Sequence, residues 1–469
     1  MVLVLTMVVL QSISFANYAL TTKTTNIIYG SAPYLTFDGG RTRVTNTEAL
    51  LGISLSDGRT FTPTTNNSSD NPIELPVIGQ SFNDIGMLLP RDTDSIALSS
   101  LIGTPYNYWG DDDGDGQGID GVTATGSLKL SIVDKSGRAV ARNEVLDICK
   151  APYILTLSND GGILKTRYGV PNESRFTAGN VTYYINPKAA PAICFAKPNL
   201  RYGGNREQIE GENRMFNFAG PANIWNPEKG FLPQSVTPSS YGLNFPTTGA
   251  HKLYFDLEIG GINQTLYWAP VSLDGITATM TNSTNTRVRV TLTGPVATQS
   301  QWQSQYPSRI DKPSLPQVFE LVGRDSSGNA VVKYGFELKQ WFVNRGSTYV
   351  RDPYSMESWC NKIGYRVPKV KDLTNASCQD RDDWCQGGVG ATPSSPYTNY
   401  QRHIGAGFIT EWGVIDYYTG ANFYRHHYWT SDKTNRTGEN YVPFYLISWD
   451  WGGINNRRSW ESRGVCVYP

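Results

Sequence analysis

The sequence predicts a mainly β chain: β-sandwich domains followed by a closed, loop-rich terminal module. Three observations lead there. Gly (46), Pro (27) and Tyr (27) are abundant among the 469 residues, a composition of short strands joined by turns. Apolar residues alternate with period two in several segments, as in Ser127-Leu128-Lys129-Leu130-Ser131-Ile132-Val133. The last 130 or so residues hold Cys360 near their start, Cys466 at their end and an unusual density of tryptophan between them.

Met1-Val2-Leu3-Val4-Leu5-Thr6-Met7-Val8-Val9-Leu10 is an apolar run too short to cross a bilayer. With the small residues Ser14 and Ala16 after it, residues 1–16 read as a secretory signal peptide, which places the protein outside the cell or at its surface. No Lys or Arg precedes the run, so either the true start lies elsewhere or the signal is atypical. Lys+Arg and Asp+Glu both number 41 and charged residues make up 17%, which leaves no basic footprint for nucleic acid.

Residues 20–200 read as an N-terminal β-rich domain. The strand 127–133 meets the turn Asp134-Lys135-Ser136-Gly137 and a return at Arg138-Ala139-Val140-Ala141. Further strands are expected at 153–157 and 181–185, and a loop at 62–70. Residues 201–250, with Gly203, Gly204, Pro221, Pro227, Pro233 and Pro238, read as a loop-rich connection. Residues 251–338 then suit an immunoglobulin-like β-sandwich. Alternation over 251–259 reaches a Gly260-Gly261 turn with a return from Ile262, a strand follows at 286–292, and 319–322 and 329–338 flank the turn Asp325-Ser326-Ser327-Gly328.

The terminal module, 339–469, opens a helix at Asp352-Pro353, with Asp as N-cap and Pro at the first helical position. Met356, Cys360 and Ile363 fall at i, i+4 and i+7 on one buried face, and Gly364 is placed to end the helix. A second helix is expected at 368–373, then turns as far as a closing strand at Val465-Cys466-Val467. Six cysteines in an exported chain favour disulfides over the 15 connectivities open to them, and proximity suggests Cys149 with Cys194, Cys360 with Cys466, and Cys378 with Cys385. Zinc finds no support, since there is no CxxC pair and His426-His427 has no thiols nearby.

Two motifs carry chemistry. In Tyr108-Trp109-Gly110-Asp111-Asp112-Asp113-Gly114-Asp115-Gly116, carboxylates alternate at Asp111, Asp113 and Asp115, with Asp120 beyond them. That is the opening of a calcium loop, without the flanking helices or terminal Glu of an EF-hand, and a structural calcium ion stands against a solvated acidic turn. No cofactor is otherwise required. The terminal module holds Trp341, Trp359, Trp384, Trp412, Trp429, Trp449, Trp451 and Trp460, eight of the twelve tryptophans. Most are expected in the core. Trp449, Trp451 and Trp460, with Arg457 and Arg458 beside them, are expected to reach the surface and bind. No GxSxG elbow, HExxH helix or fixed carboxylate pair supports an enzyme.

Lys339-Gln340-Trp341-Phe342-Val343, Trp359-Cys360, Thr410-Glu411-Trp412-Gly413, Tyr428-Trp429 and Gly464-Val465-Cys466-Val467 together resemble the C-type-lectin-like tip of the invasin and intimin adhesins. Upstream, Tyr108 to Gly116 and Val145-Leu146-Asp147-Ile148-Cys149-Lys150-Ala151-Pro152 resemble an enterobacterial adhesion-domain family found near intimin-like genes. Together the resemblances cover most of the chain past the signal segment. They imply a C-type-lectin-like (α+β) module at 339–469, clasped from first helix to last strand by a disulfide and carried on a β-sandwich. They also imply a virulence-associated adhesin whose partner is a host-surface protein or glycan. The calcium-sugar triplets of true C-type lectins, Glu-Pro-Asn or Gln-Pro-Asp with Trp-Asn-Asp, are absent, and Trp449-Asp450-Trp451 does not replace them. The membrane barrel of those adhesins has no counterpart in these residues, which implies retention by another outer-membrane protein, or release. The rival functions are an assembly subunit of a bacterial surface complex and a secreted carbohydrate-active enzyme.

Overall fold

The computed structural model describes residues 29–469 apart from 116–120, 211, 212, 214, 379–384, 437 and 458–461. The expected signal segment 1–16, Asp120, Trp384, Arg458 and Trp460 lie outside the described residues. The chain divides into two compact units, one of residues 1–146 with 152–188 and one of 147–151 with 189–469. Among the described residues no helix is long and apolar enough to cross a membrane.

The first unit is built on a five-stranded sheet. Its spatial order is Ile73–Glu74, Gly179–Asn186, Tyr153–Asn159, Ser127–Val133 and Ser95–Ala97. The alternation read in the sequence is the burial pattern. Leu130 pairs with Leu157 and Leu157 with Val181, while Ile132 pairs with Leu155 and Leu155 with Tyr183, so one face is apolar from strand to strand. Phe82 meets Tyr153 edge-on beneath it, with ring centroids 5.7 Å apart. A second sheet joins Glu173–Phe176, Gly162–Thr166 and Val122–Thr125.

The second unit contains a sandwich. One sheet runs Trp225–Asn226, Gly230–Phe231, Ala192–Lys197, Tyr254–Gly260, Arg287–Thr293, Ile276–Thr281 and Val271–Leu273; the other runs Tyr267–Trp268, Gln317–Arg324 and Ala330–Leu338. Phe255 from the first sheet and Phe336 from the second meet edge-to-face at 6.1 Å, and Phe336 stacks on Phe319 at 5.1 Å. Three expectations change here. The break falls at 188–189 rather than near 200, because Ala192–Lys197 hydrogen-bonds to Tyr254–Gly260. The chain does not return from Ile262 beside the strand it leaves: the antiparallel partner is Arg287–Thr293, and Tyr267–Trp268 crosses to the other sheet. Residues 201–250 are a packed layer rather than a connection, since Phe216, Phe218, Trp225, Phe231, Tyr241 and Phe245 are all buried.

The terminal segment continues from the sandwich with Lys339 alone between two strands. Gln340–Asn344 lies between Thr248–Ala250, parallel, and the last strand Val465–Tyr468, antiparallel. The helix Pro353–Ile363 forms as its ends dictate. Asp352 accepts hydrogen bonds from the Tyr354 and Ser355 amides, and Gly364 closes the helix at a φ of 94°. Met356, Trp359, Cys360 and Ile363 form its buried face, and Cys360 is bonded to Cys466 of the last strand. Cys149–Cys194 and Cys378–Cys385 are also formed, so all six cysteines are paired. The second helix is one turn, Val370–Leu373, and the stretch expected to be turns contains a sheet of His427–Lys433, Tyr441–Ser448 and Ile454–Arg457.

The sandwich, the 201–250 layer and the terminal segment share one hydrophobic core. Two buried charges sit at the join. The Glu411 carboxylate accepts hydrogen bonds from the amides of Thr247, Thr248 and Gly405 and the hydroxyls of Thr247 and Thr248. Burial pushes its pKa upward, and these bonds oppose that shift. The Arg402 guanidinium donates to the carbonyl oxygens of Asn199, Arg201, Tyr202 and Glu411 at 2.7–3.2 Å, lying between the rings of Trp225 and Tyr400.

Candidate binding surface

Of the residues expected to bind, Trp449 and Trp451 flank the hairpin turn between Tyr441–Ser448 and Ile454–Arg457. Each is partly exposed and partly packed against the protein. Trp451 is half-buried, with its ring 6.4 Å from Phe216 and folded so closely over Gly453 that a Cβ there would fall 1.8 Å from the indole. Trp449 is half-buried too, and its indole N–H donates to Asp416 Oδ1 at 3.1 Å. Arg457 is exposed at the end of its strand. Asp450, between the tryptophans, is buried and accepts from the Ser448 hydroxyl and the Trp451 amide, which fixes the turn.

The structure gathers around Trp449 a set of rings that the sequence scatters. Tyr349, Tyr417 and Tyr424 are 48%, 41% and 36% exposed, far more than the core rings of the same module. Arg463 is buried with its guanidinium 3.8 Å from the Tyr349 centroid and 5.5 Å from that of Tyr424, and it donates to the Arg425 and Ser347 carbonyls. The His426 ring lies 6.0 Å from Tyr349 and 6.5 Å from Trp449. Its φ of 100° is a left-handed conformation that side chains rarely adopt, so the loop is held by its surroundings. The holding groups are visible. The Tyr428 hydroxyl bonds both the amide and the carbonyl of Tyr424, and Arg425 pairs with Asp416 at 3.2 Å and with Glu210 at 3.9 Å. Beyond Asp416, the Arg201 guanidinium stands 5.4 Å from the Tyr417 ring.

The result is a face of tyrosine, histidine and tryptophan edges rimmed by Arg201, Arg425 and Glu210. Burial lowers the His427 imidazole to about 4, with the neighbouring His426 second, so this ring is neutral at physiological pH. Burial raises Asp450 to about 6, with its two hydrogen bonds opposing. The folded state therefore holds the Asp450 proton more tightly than the unfolded chain does. Stability from this group is present below about pH 4 and is lost as pH rises through about 6. A shift of about two units corresponds to about 3 kcal/mol. Asp450→Asn is thus expected to be more stabilising at pH 7.5 than at pH 4 by up to that amount, measured by urea unfolding at both pH values. An equal effect at the two pH values would show that Asp450 titrates normally.

Asp111, Asp113 and Asp115 each bring a carboxylate oxygen within 4.8 Å of the others.

No family model and no curated protein matches the chain. Solved structures do. The crystal structure of invasin, a bacterial integrin-binding protein, is 14% identical with a TM-score of 0.31, the match covering 75% of this chain and 52% of that one; the chain thus spans about half of the invasin structure. A C-terminal 282-residue fragment of intimin, in complex with the intimin-binding domain of the translocated intimin receptor, is 12% identical with a TM-score of 0.32, covering 74% of this chain and 93% of the fragment. An intimin mutant from EHEC O157:H7 is 12% identical with a TM-score of 0.28, covering 52% and 93%. At these scores no residue of theirs is placed on a residue here.

Proposed function

We propose that the chain is an exported bacterial adhesin that binds a protein on a host surface, without catalysis, through the Tyr349–Tyr424–His426–Trp449 face of a C-type-lectin-like terminal module. The observation that carries the reading is that face. Large rings stand partly exposed while buried Arg463 and Tyr428, with partly buried Asp416, hold them or their loop in place, so little side-chain freedom remains to be lost on binding. Tyrosine, tryptophan and arginine are also the residue types that dominate interface energetics. The helix-to-last-strand disulfide supports the lectin-like reading, and full pairing of the cysteines suits an oxidising compartment outside the cytoplasm.

A second reading rests on a separate cleft of about 720 Å³ lined by Lys339, Lys369 and Lys371, and by Arg366, which pairs with Asp372 and bonds a Pro469 oxygen. That charge balance fits an anionic glycan. One experiment separates the readings: capture of host-membrane proteins and an immobilised glycan panel by the full chain. Tyr349→Ala and Tyr424→Ala are each expected to weaken protein capture by roughly ten-fold or more, about 1.4 kcal/mol or more, and to leave thermal stability nearly unchanged. Glycan binding lost on Lys369→Glu but kept in the tyrosine variants would favour the cleft. Capture of bacterial envelope proteins alone would favour an assembly subunit, and turnover on a polysaccharide panel would favour an enzyme.

A further inference from the structure

The first unit holds a site that the binding face does not involve. Asp111, Asp113 and Asp115 converge, each within 4.8 Å of the others, while Asp112 between them turns away to pair with Arg43 and the Tyr34 hydroxyl. Mutual repulsion makes such a cluster unfavourable without a cation in it. Asp115 sharpens the point. It is 7% exposed, and among the described residues neither of its carboxylate oxygens has a hydrogen-bond donor. A buried carboxylate without a donor or a counter-charge is among the costlier arrangements in a protein interior.

The surroundings are shaped around these carboxylates. The Ser31 amide donates to Asp113 Oδ2 at 2.7 Å. A Cβ on Gly30 would fall 1.4 Å from Asp113 Oδ2, and one on Gly169, whose φ is +95°, would fall 1.4 Å from Asp115 Oδ2. Two glycines from distant parts of the sequence thus leave room for two of the three carboxylates, and the Gly30 amide bonds the Val170 carbonyl to hold their segments together.

We propose that Asp111, Asp113 and Asp115 bind one calcium ion, which joins the 111–115 loop to the segments around Gly30 and Gly169. Calcium accepts about six to eight oxygens in flexible geometry, so three carboxylates on one loop can supply part of its set, whereas magnesium demands a near-ideal octahedron and holds its waters. Calcium's remaining coordination positions are left to water and backbone carbonyls.

The test is calorimetric titration of calcium chloride into the chelator-treated full chain, with thermal unfolding followed in parallel. One ion per chain is expected, with a higher unfolding temperature on addition and its reversal by chelator. Asp115→Asn and the more exposed Asp111→Asn are each expected to weaken binding roughly ten-fold or more, since affinity follows ligand charge. If Asp115→Asn does not fold, Asp111→Asn decides alone. Absence of binding at roughly 10 mM calcium, weaker than extracellular calcium modules, would overturn the proposal. So would binding that both variants leave intact. Asp325→Asn, in a hairpin turn of the second unit, serves as the control and is expected to bind calcium as the parent does.

Discussion

Arg402→Ala is expected to lower the unfolding free energy of the second unit by roughly 3–5 kcal/mol. Three terms add. Four carbonyl oxygens, those of Asn199, Arg201, Tyr202 and Glu411, lose a donor together, although that of Tyr202 keeps the Tyr400 hydroxyl. The guanidinium volume between Trp225 and Tyr400 empties. The third term is positional, because these carbonyls belong to the layer and the module that Arg402 joins. Arg402→Lys should recover little, since an ammonium is a point donor and cannot reach four acceptors fanned around a plane. Eleven of the twelve tryptophans, all but Trp109, lie in residues 189–469, so intrinsic fluorescence during urea unfolding reports this unit almost alone. A shift below about 1 kcal/mol would mean that relaxation or water replaces the guanidinium at little cost.

The second large effect concerns the disulfide. Replacing both Cys360 and Cys466 with Ser opens a loop whose ends are 106 residues apart in sequence. On the chain-entropy account a loop of that size stabilises by about 4.7 kcal/mol through the unfolded state. Both residues are fully buried, so the hydroxyls add a cost in the folded state unless they find partners. The double variant is expected to unfold at a much lower urea concentration. The Cys378–Cys385 variant is expected to lose about half as much, about 2.4 kcal/mol on the same account, because seven residues of separation constrain the unfolded chain less. Equal effects from the two would show that strain or packing, rather than loop length, sets the contribution.

Much of the architecture follows from short-range pattern. The 127–133 and 287–293 strands announce themselves by alternation, and the 353–363 helix by Asp352, Pro353 and Gly364 at its ends. What could not be read is pairing between distant segments. Thr248-Gly249-Ala250 has no strand signature, yet it lies parallel to Gln340–Asn344. Tyr441–Ser448 carries Pro443, which argues against a strand, and its pairing with His427–Lys433 is irregular enough to accommodate it. The ring cluster around Trp449 suffered most from this. Trp449 stood out in a tryptophan-rich run, while Tyr349, Tyr417 and Tyr424 are single rings in turn-rich stretches with nothing local to mark them. Only the fold brings them together. One local cue was present in Tyr424-Arg425-His426-His427, an aromatic and cationic run whose weight depended on where Tyr349 and Trp449 would come to lie.

Lys339 has a mechanical consequence. Strand passes to strand through this one residue, and the second strand is held on both edges, by Thr248–Ala250 and by Val465–Tyr468. There is no linker at which the terminal module could pivot on its sandwich. Force applied at the tyrosine face is therefore carried into the sandwich by sheet hydrogen bonds and a shared core, so the two resist bending as one beam.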